Sequence, residues 1–574
     1  MIVAYSATLP VFWSALKSLK NKKISIDLLA SIALIVSLIE KQWPSVIFIG
    51  LMITSARIFA DYTRNKSRSA IESLLKLKPI EATVERDGNF IKIPIEEIKK
   101  GDSVIIDLGE RIPVDGIVIK GEAEVDQSSL TGESIPVHKK AGDRVFTSTI
   151  IVSGNLIVRA EKIGEETTFA KVIKLVEESH KYKAEISTLS EKFSTWYIII
   201  TLIGSFSLYL FFQNINLVLA VLLVSCADDV AVAVPLAFLT SIAHSAKHGV
   251  IIKGGDFLEA LTKLKVAVVD KTGTLTRGKL KVEEIFAFGN NEPKEILELA
   301  SVLSLMSIHP SAQAIMKYAK EKNIRIEEPE KFQEYPGKGA TAFYKNREII
   351  SGKIAFFKER KIEITKHQLG DIEREKEKGF SVNLIGSGSK LLGFISLADE
   401  VRPEAKKSFS ELKNLGIEKI IMLTGDNEKI AKRVADTVGI KEFHANLLPE
   451  DKINYLKKYL SKDYKTAMVG DGVNDAAVLG LADIGIAMGT IGSDAAIESA
   501  DIALMKDDLR EMPELIKIGK STMRVVRQDL WIWGIINAIG LVLVFAKILG
   551  PDGAAAYNFT TDFLPLINSL RLFK

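Results

Sequence analysis

A single aspartate at the end of a short, wholly apolar run constrains this chain more than any other feature. Val266-Ala267-Val268-Val269 reads as a strand buried on both faces, and Asp270-Lys271-Thr272-Gly273-Thr274-Leu275-Thr276 follows at once. Open α/β sheets place their ligand chemistry at the carboxyl ends of such strands. Small and hydroxylated residues after the aspartate let backbone N–H groups approach an anion closely. An aspartate so placed is able to attack phosphorus and form an aspartyl phosphate. Residues 417–423 form a second such strand, ending in Thr424-Gly425-Asp426. Ala467-Met468-Val469 is a third, ending in Gly470-Asp471-Gly472-Val473-Asn474-Asp475. Asp471 is placed to hold Mg²⁺ beside Asp270, and Thr424 to hydrogen-bond phosphate oxygens. Lys452, in Leu448-Pro449-Glu450-Asp451-Lys452, adds a fixed positive charge. The metal answers the repulsion between an anionic nucleophile and a phosphate.

The rest of the chain must house this site in several domains, given 574 residues. An apolar fraction of 47% beside 26% charged residues calls for membrane spans together with ordinary soluble domains. Residues 26–38 and 46–60 read as a first hairpin, with Lys20, Lys22 and Lys23 before it and Arg64, Lys66 and Arg68 after it, which puts both ends on the cytoplasmic side. Residues 196–212 and 217–244 form a second apolar pair, in which Pro235 is expected to interrupt the helix. Residues 530–549 and 554–572 close the chain as a third. Between the first two pairs, residues 80–170 alternate like a small β domain, opening on a hairpin around Asp87-Gly88-Asn89. A net charge of +4 gives no case for nucleic acid as a partner. One cysteine rules out a disulfide framework and any structural zinc cluster built on several cysteines. Repeats, low-complexity tracts and a cleavable signal peptide are not evident.

The motif around Asp270, with Thr424, Lys452 and Asp471 in this order, resembles the phosphorylation domain of P-type ATPases, a haloacid-dehalogenase-like fold. The resemblance extends along nearly the whole chain. It implies a multidomain membrane protein with an α-helical transmembrane bundle, a β-rich actuator domain, an α/β phosphorylation domain and an inserted α/β nucleotide-binding domain. The expected limits are 1–65 for an N-terminal partial helix and the first hairpin, 66–190 for the actuator and 191–250 for the second hairpin with the ion site. Phosphorylation-domain segments follow at 251–278 and 396–522, around an insert at 279–395, with the last hairpin at 523–574. Thr131-Gly132-Glu133-Ser134 looks like the actuator loop, whose glutamate, here Glu133, directs water onto the aspartyl phosphate. Thr272 joins Asp270 and Asp471 as an expected Mg²⁺ ligand.

The insert narrows the resemblance to the heavy-metal (type IB) branch, in which a histidine and two glycines hold ATP. His309-Pro310 and Gly337-Lys338-Gly339 match that pattern, although Ser307 and Ile308 stand where a glutamate commonly precedes the histidine. Residues 10–20 look like the end of an extra N-terminal helix of that branch. Its intramembrane Cys-Pro-Cys is replaced by Cys226-Ala227-Asp228, with Asp229 following. In the last hairpin Ile536-Asn537 stands where copper members have Tyr-Asn, and Asn558 and Thr561-Asp562 stand where they have a Met followed by Ser-Ser. Cys226, Asp228, Asp229, Asn537, Asn558 and Asp562 are therefore the expected site of the transported ion. One thiolate among oxygens suits a divalent transition metal better than Cu(I).

The function implied is an ATP-driven cation pump with ATP and Mg²⁺ as cofactors. Its partners are the lipid bilayer and the transported cation, with no partner subunit implied, and its place is a prokaryotic plasma membrane with the catalytic domains cytoplasmic. The alternatives are a pump for protons or light cations and a membrane-anchored phosphatase. The latter normally has an acidic group two residues after the nucleophile, where this chain has Thr272.

Overall fold

The computed structural model describes residues 26–51, 54–55, 58, 79–86, 89–127, 136–171, 185–225, 228–307, 309–335, 337–471, 475–489 and 498–573. Among them the chain builds three β-sheets and a set of apolar helices.

The central sheet runs in the order Glu442–His444, Lys419–Leu423, Leu264–Asp270, Lys465–Gly470, Ile484–Met488, Ile502–Leu504, Val250–Ile252. Its pairings are parallel except the last, between Ile502–Leu504 and Val250–Ile252. Burial on both faces explains why these strands read as continuous apolar runs. Register then fixes the site. Leu423 lies opposite Asp270 and Val469 opposite Val269, so Thr424 and Asp471 emerge on either side of Asp270 at one edge of the sheet.

The insert is a six-stranded antiparallel sheet covered by the helices Pro293–Ser304 and Pro310–Glu321. Its first and last strands, Thr276–Ala287 and Lys390–Val401, pair from Thr276 opposite Val401 to Ala287 opposite Gly393. The expected limits at 279 and 395 fall inside these two strands. The chain therefore passes from central sheet to insert along a two-stranded ribbon that starts six residues after Asp270. The β domain between the first two helix pairs is a seven-stranded sheet organised on the long strands Asp115–Asp126 and Ile150–Lys162. Its first hairpin closes Arg86 onto Asn89, as an Asp-Gly connection favours.

Of the apolar helices among the described residues, Glu511–Phe545 alone is long and apolar enough to cross a membrane by itself. The others are shorter or broken. Ile26–Ile39, Glu185–Phe212, Ile215–Val224 and Pro551–Thr561 pack around Leu34, Ile198, Leu219 and Ala554. Large apolar side chains line the outside of two of them. Trp531, Ile535, Ile539 and Val542 are exposed at helical spacing on the last long helix, and Trp196, Ile200, Ile203 and Phe206 on Glu185–Phe212. Such stripes belong against lipid.

The expected interruption at Pro235 is not where the chain breaks. Pro235 lies inside the helix Asp228–Lys247, and the preceding helix ends at Val224 with Ser225 as its cap. A proline eight residues into a helix removes one backbone bond and leaves the turns on either side intact, so the backbone continues through it. The last pair is also segmented, with Pro551–Thr561 and Phe563–Ser569 meeting at Asp562.

Asp529 ties three of these helices together. It is fully buried in Glu511–Phe545, where Asn568 Nδ2 donates to its Oδ1 at 2.8 Å and Ser569 Oγ to its Oδ2 at 2.7 Å. The Ser569 hydroxyl also lies 3.0 Å from the Ala233 carbonyl of Asp228–Lys247. Asp529→Ala is expected to cost about 1–3 kcal/mol by leaving these donors unpaired. Its melting temperature in detergent should fall well below wild type, whereas Asp529→Asn, which keeps one acceptor, should lose less.

Candidate active site and ion path

Asp270 closes the strand Leu264–Asp270 and is 5% exposed. Its Oδ2 accepts from the Thr272 N–H at 2.9 Å and its Oδ1 from Lys452 Nζ at 2.6 Å. Lys452, in the helix Pro449–Lys457, also donates to Asp475 Oδ1 at 2.7 Å. One ammonium thus bridges two buried carboxylates. Asp471 stands against the loop at Gly273, whose φ is +75°. A Cβ there would come 3.0 Å from Asp471 Oδ2, so a side chain at 273 meets both backbone strain and a clash. Thr424 is buried, and its Oγ1 accepts from the Asp426 N–H at 3.1 Å.

The electrostatics follow from this crowding. Burial, together with the negative charges of Asp475 and Asp471, pushes the Asp270 carboxyl up to about 6 against the opposing pull of Lys452. Burial also works against the charge on Lys452, but Asp270 and Asp475 outweigh it and hold the ammonium above its ordinary range. Asp270 and Asp475 share the one ammonium of Lys452, and a divalent cation would ease such crowding when a phosphate arrives. Among the described residues no three acidic, His or Cys side chains converge on one point as a ready-made metal cage. Mg²⁺ takes one or two carboxylates and completes its shell with water and phosphate.

Several residues around the loop carry no role in the sequence reading. Asp475 stands within the quoted motif, yet only the fold shows that it shares Lys452 with Asp270. Lys271 Nζ pairs with Asp426 Oδ2 at 2.6 Å and with Asp399 Oδ2 at 3.4 Å, and Thr276 Oγ1 donates to Asp399 Oδ2 at 2.6 Å. Arg402, 2% exposed, donates to the carbonyls of Thr274 at 2.8 Å, Gly273 at 3.1 Å and Asp507 at 2.7 Å. The signal available in sequence was a charged residue, Asp399 or Arg402, at the end of a long apolar strand.

In the insert a cavity of about 340 Å³ is lined by His309, Gly337 and Gly339 together with Glu334, Lys338, Lys353 and Asn383. His309 caps the helix Pro310–Glu321, its Nδ1 accepting from the Ser311 N–H at 3.2 Å. Gly339 has a second reason to be glycine, since a Cβ there would lie 2.0 Å from the Ser351 carbonyl oxygen across the sheet.

Of the expected ion residues, Asn537 lies on Glu511–Phe545, Asn558 on Pro551–Thr561 and Asp562 at the end of the latter. Val224, the last residue before the break, and Tyr557 both close on Gly540, and Tyr557 Oη donates to the Ile536 carbonyl at 2.8 Å. Asn537 is buried one residue further on, its Nδ2 bonded to the Trp533 carbonyl at 2.9 Å. Asn558 is buried on Pro551–Thr561, and Asp562 marks the end of that helix. Asp228 and Asp229 open the helix Asp228–Lys247. Glu133 and Cys226, and the side chains of Asp228 and Asp229, lie outside the described residues. Lys452→Met should leave Asp270 and Asp475 uncompensated. Labelling of the protein by radioactive ATP is expected to fall about 100-fold or more, on the scale of losing one charged group from a preorganised site, while far-ultraviolet circular dichroism stays unchanged.

Residues 76–177 match the family model of the P-type ATPase actuator domain, and residues 264–483 that of haloacid dehalogenase-like hydrolases. The chain is 34% identical over 561 residues to the cadmium-transporting ATPase of Staphylococcus aureus, covering 95% of this chain and 77% of that protein. It is also 34% identical over 574 residues to the manganese-exporting P-type ATPase of Mycobacterium bovis, covering 98% of this chain and 80% of that protein. The crystal structure of a zinc-transporting PIB-type ATPase in its E2.Pi state superposes with a TM-score of 0.68 at 30% identity, over 100% of this chain and 94% of that one. Parallel sheet, ribbon-hung insert, β domain and segmented apolar helices thus recur together with sequence identity along the whole length, and this chain belongs to the P-type ATPases, in their heavy-metal type IB branch, as an ATP-hydrolysing cation transporter.

Proposed function

We propose that this transporter moves a divalent transition metal and that Asp270 is the residue phosphorylated in each cycle. The observation that carries the phosphorylation reading is the Lys452 ammonium, shared at 2.6 and 2.7 Å between Asp270 and Asp475 at the carboxyl end of the parallel strands. Asp270 attacks the γ-phosphorus of ATP, forming an Oδ–P bond as the bond from phosphorus to the ADP oxygen breaks. Lys452 and the Thr424 hydroxyl bear on the charge that develops on the phosphoryl oxygens. Asp471 and Asp270, with Thr272, would hold Mg²⁺, which supplies charge neutralisation between carboxylate and phosphate. Arg402 and Lys271 keep the loop in place while this happens. Glu133 then orients the water that hydrolyses the aspartyl phosphate. ATP reaches the site from the cavity at His309, Gly337 and Gly339, which the ribbon of Thr276–Ala287 and Lys390–Val401 connects to the central sheet.

The ion reading rests on donor chemistry. Asp228, Asn537, Asn558 and Asp562 offer oxygen, with Asp229 beside them and Cys226 as the one thiol, and such a set favours hard or borderline divalent ions over Cu(I). Relatives named for cadmium, manganese and zinc support the same charge class. The protein then resides in the bacterial plasma membrane with its sheets on the cytoplasmic side.

Asp270→Asn should abolish the acid-stable phosphoenzyme, because an amide is no nucleophile. Wild-type labelling in that variant would remove the central assignment. Glu133→Gln should label normally and lose its phosphate slowly in a cold-ATP chase. Asp228→Ala should abolish stimulation of ATP hydrolysis by Zn²⁺, Mn²⁺, Co²⁺ or Fe²⁺, with Cys226→Ser weakening it less. Activation confined to Cu(I) or Ag(I), with Asp228→Ala silent, would overturn the oxygen-site reading.

A further inference from the structure

His444 ends the edge strand Glu442–His444, directly beside the strand that leads to Thr424. Its carbonyl accepts from the Thr424 N–H at 3.0 Å. Two more backbone bonds lace the following residues to the same loop, from the Asn446 N–H to the Asp426 carbonyl at 2.7 Å and from the Leu447 N–H to the Thr424 carbonyl at 3.1 Å. The helix Pro449–Lys457, which carries Lys452, begins just beyond them. Backbone bonds to the Thr424 loop end at Leu447, and the His444 side chain continues the connection. Its ring stacks on Tyr455, with centroids 4.1 Å apart and 29° between the planes. Its Nε2 lies 3.0 Å from Tyr459 Oη.

Hydrogen counting fixes the direction of that last bond. The Tyr459 hydroxyl also meets Glu442 Oε1, and an ionised carboxylate only accepts. The single hydroxyl hydrogen therefore goes to Glu442, and His444 Nε2 carries an N–H that donates to the tyrosine oxygen. Lys452, Tyr455 and Tyr459 follow one another at intervals of three and four residues, the spacing of side chains along one face of a helix. His444 thus holds the face from which Lys452 reaches Asp270 at 2.6 Å and Asp475 at 2.7 Å. A lysine ammonium is a compact charge on a flexible stem, so its aim depends on where its helix stands. We infer that His444 is a positioning residue for phosphoryl transfer, which acts through Tyr455 and Tyr459 to keep the Lys452 helix in register with Thr424. The inference rests on the reading of Lys452 and Thr424 as the groups that bear on the phosphoryl oxygens.

The test uses the full-length protein in detergent. Phosphoenzyme formation from ATP is split into its rate at saturation and its half-saturating ATP concentration. Inhibition by orthovanadate, whose five-coordinate oxyanion copies the transferring phosphoryl group, is measured beside it. His444→Ala should slow labelling about tenfold, the scale of a catalytic group displaced by a fraction of an ångström. Orthovanadate should weaken by a similar factor, while the half-saturating ATP concentration stays unchanged, as a loss confined to the transition state requires. His444→Gln, which keeps an N–H for Tyr459 and loses the stack, should recover part of the rate. In a Lys452→Met background His444→Ala should slow labelling no further, because its effect passes through Lys452. Wild-type labelling and orthovanadate sensitivity in His444→Ala, or an equal slowing with and without Lys452, would overturn the role of His444 and leave Lys452 and Thr424 standing. Wild-type labelling in Lys452→Met would instead remove the reading beneath it. If His444→Ala does not fold, Tyr459→Phe takes its place. That variant keeps the aromatic packing, loses one oxygen and should slow labelling about threefold, and a wild-type rate in it would count against the inference.

Discussion

Crowding of like charge at the carboxyl end of a parallel sheet is the constraint on which the rest of this molecule depends. Strand register brings Asp270, Asp471 and Asp475 into one small region, and the burial that makes the strands stable also makes those charges costly. Lys452 offsets part of that cost by touching two of the three. A metal-bound phosphate brought against Asp270 would add positive charge to that crowded region. The loop that follows Asp270 is an irregular turn, with Thr272 and Gly273 outside helical geometry, and draws its rigidity from side chains around it. Arg402 and the Lys271–Asp399–Asp426 group supply that rigidity from the hinge side, so the same side chains that shape the loop also anchor the ribbon carrying the insert.

The membrane region solves a different problem with the same economy. Glu511–Phe545 is a single helix of 35 residues, about 52 Å long at 1.5 Å per residue. Its first turns pack on Gly255–Thr262 beside the central sheet, with Gly519 close to the Leu258 carbonyl oxygen, and its later turns carry the lipid-facing stripe. Against this rod Ile215–Val224, Pro551–Thr561 and Phe563–Ser569 are short segments. Breaks free backbone groups and side chains for an ion, and the unbroken helix keeps their partners in place.

How much of this was legible in the sequence depends on the range of the forces involved. The strands leading to Asp270, Thr424 and Asp471 could be read because burial on both faces writes an uninterrupted apolar run. The motif order then identified the family. The sharing of Lys452 by Asp475 could not be read, because it depends on register between strands about 200 residues apart in sequence. The bracing by Arg402 is hidden for a similar reason, since its partners are backbone carbonyls, which every residue has. Pro235 misled because proline reports a missing backbone bond and not the place where a helix ends. The strand limits at Thr276 and Val401 differ from the expected ones because β-pairing continues past the point where side-chain patterning changes. Glu334 lies 25 residues from His309, and only the folding of the Glu330–Tyr335 strand against the Ser307 turn brings the two together.

The antiparallel pairing of Val250–Ile252 with Ile502–Leu504 has a mechanical side. The first of these strands is entered from the helix Asp228–Lys247 and the second leads on to Glu511–Phe545, so both connections to the bilayer leave from one margin of the sheet. Leu264–Asp270 is the fifth strand counted from that margin, four spacings or roughly 19 Å away at about 4.8 Å per strand. A sheet fastened along one side acts as a lever arm. A few degrees of tilt in the two anchoring helices sweep Asp270 through an ångström or more, and any displacement forced on Asp270 by a bound phosphate returns to those helices as torque.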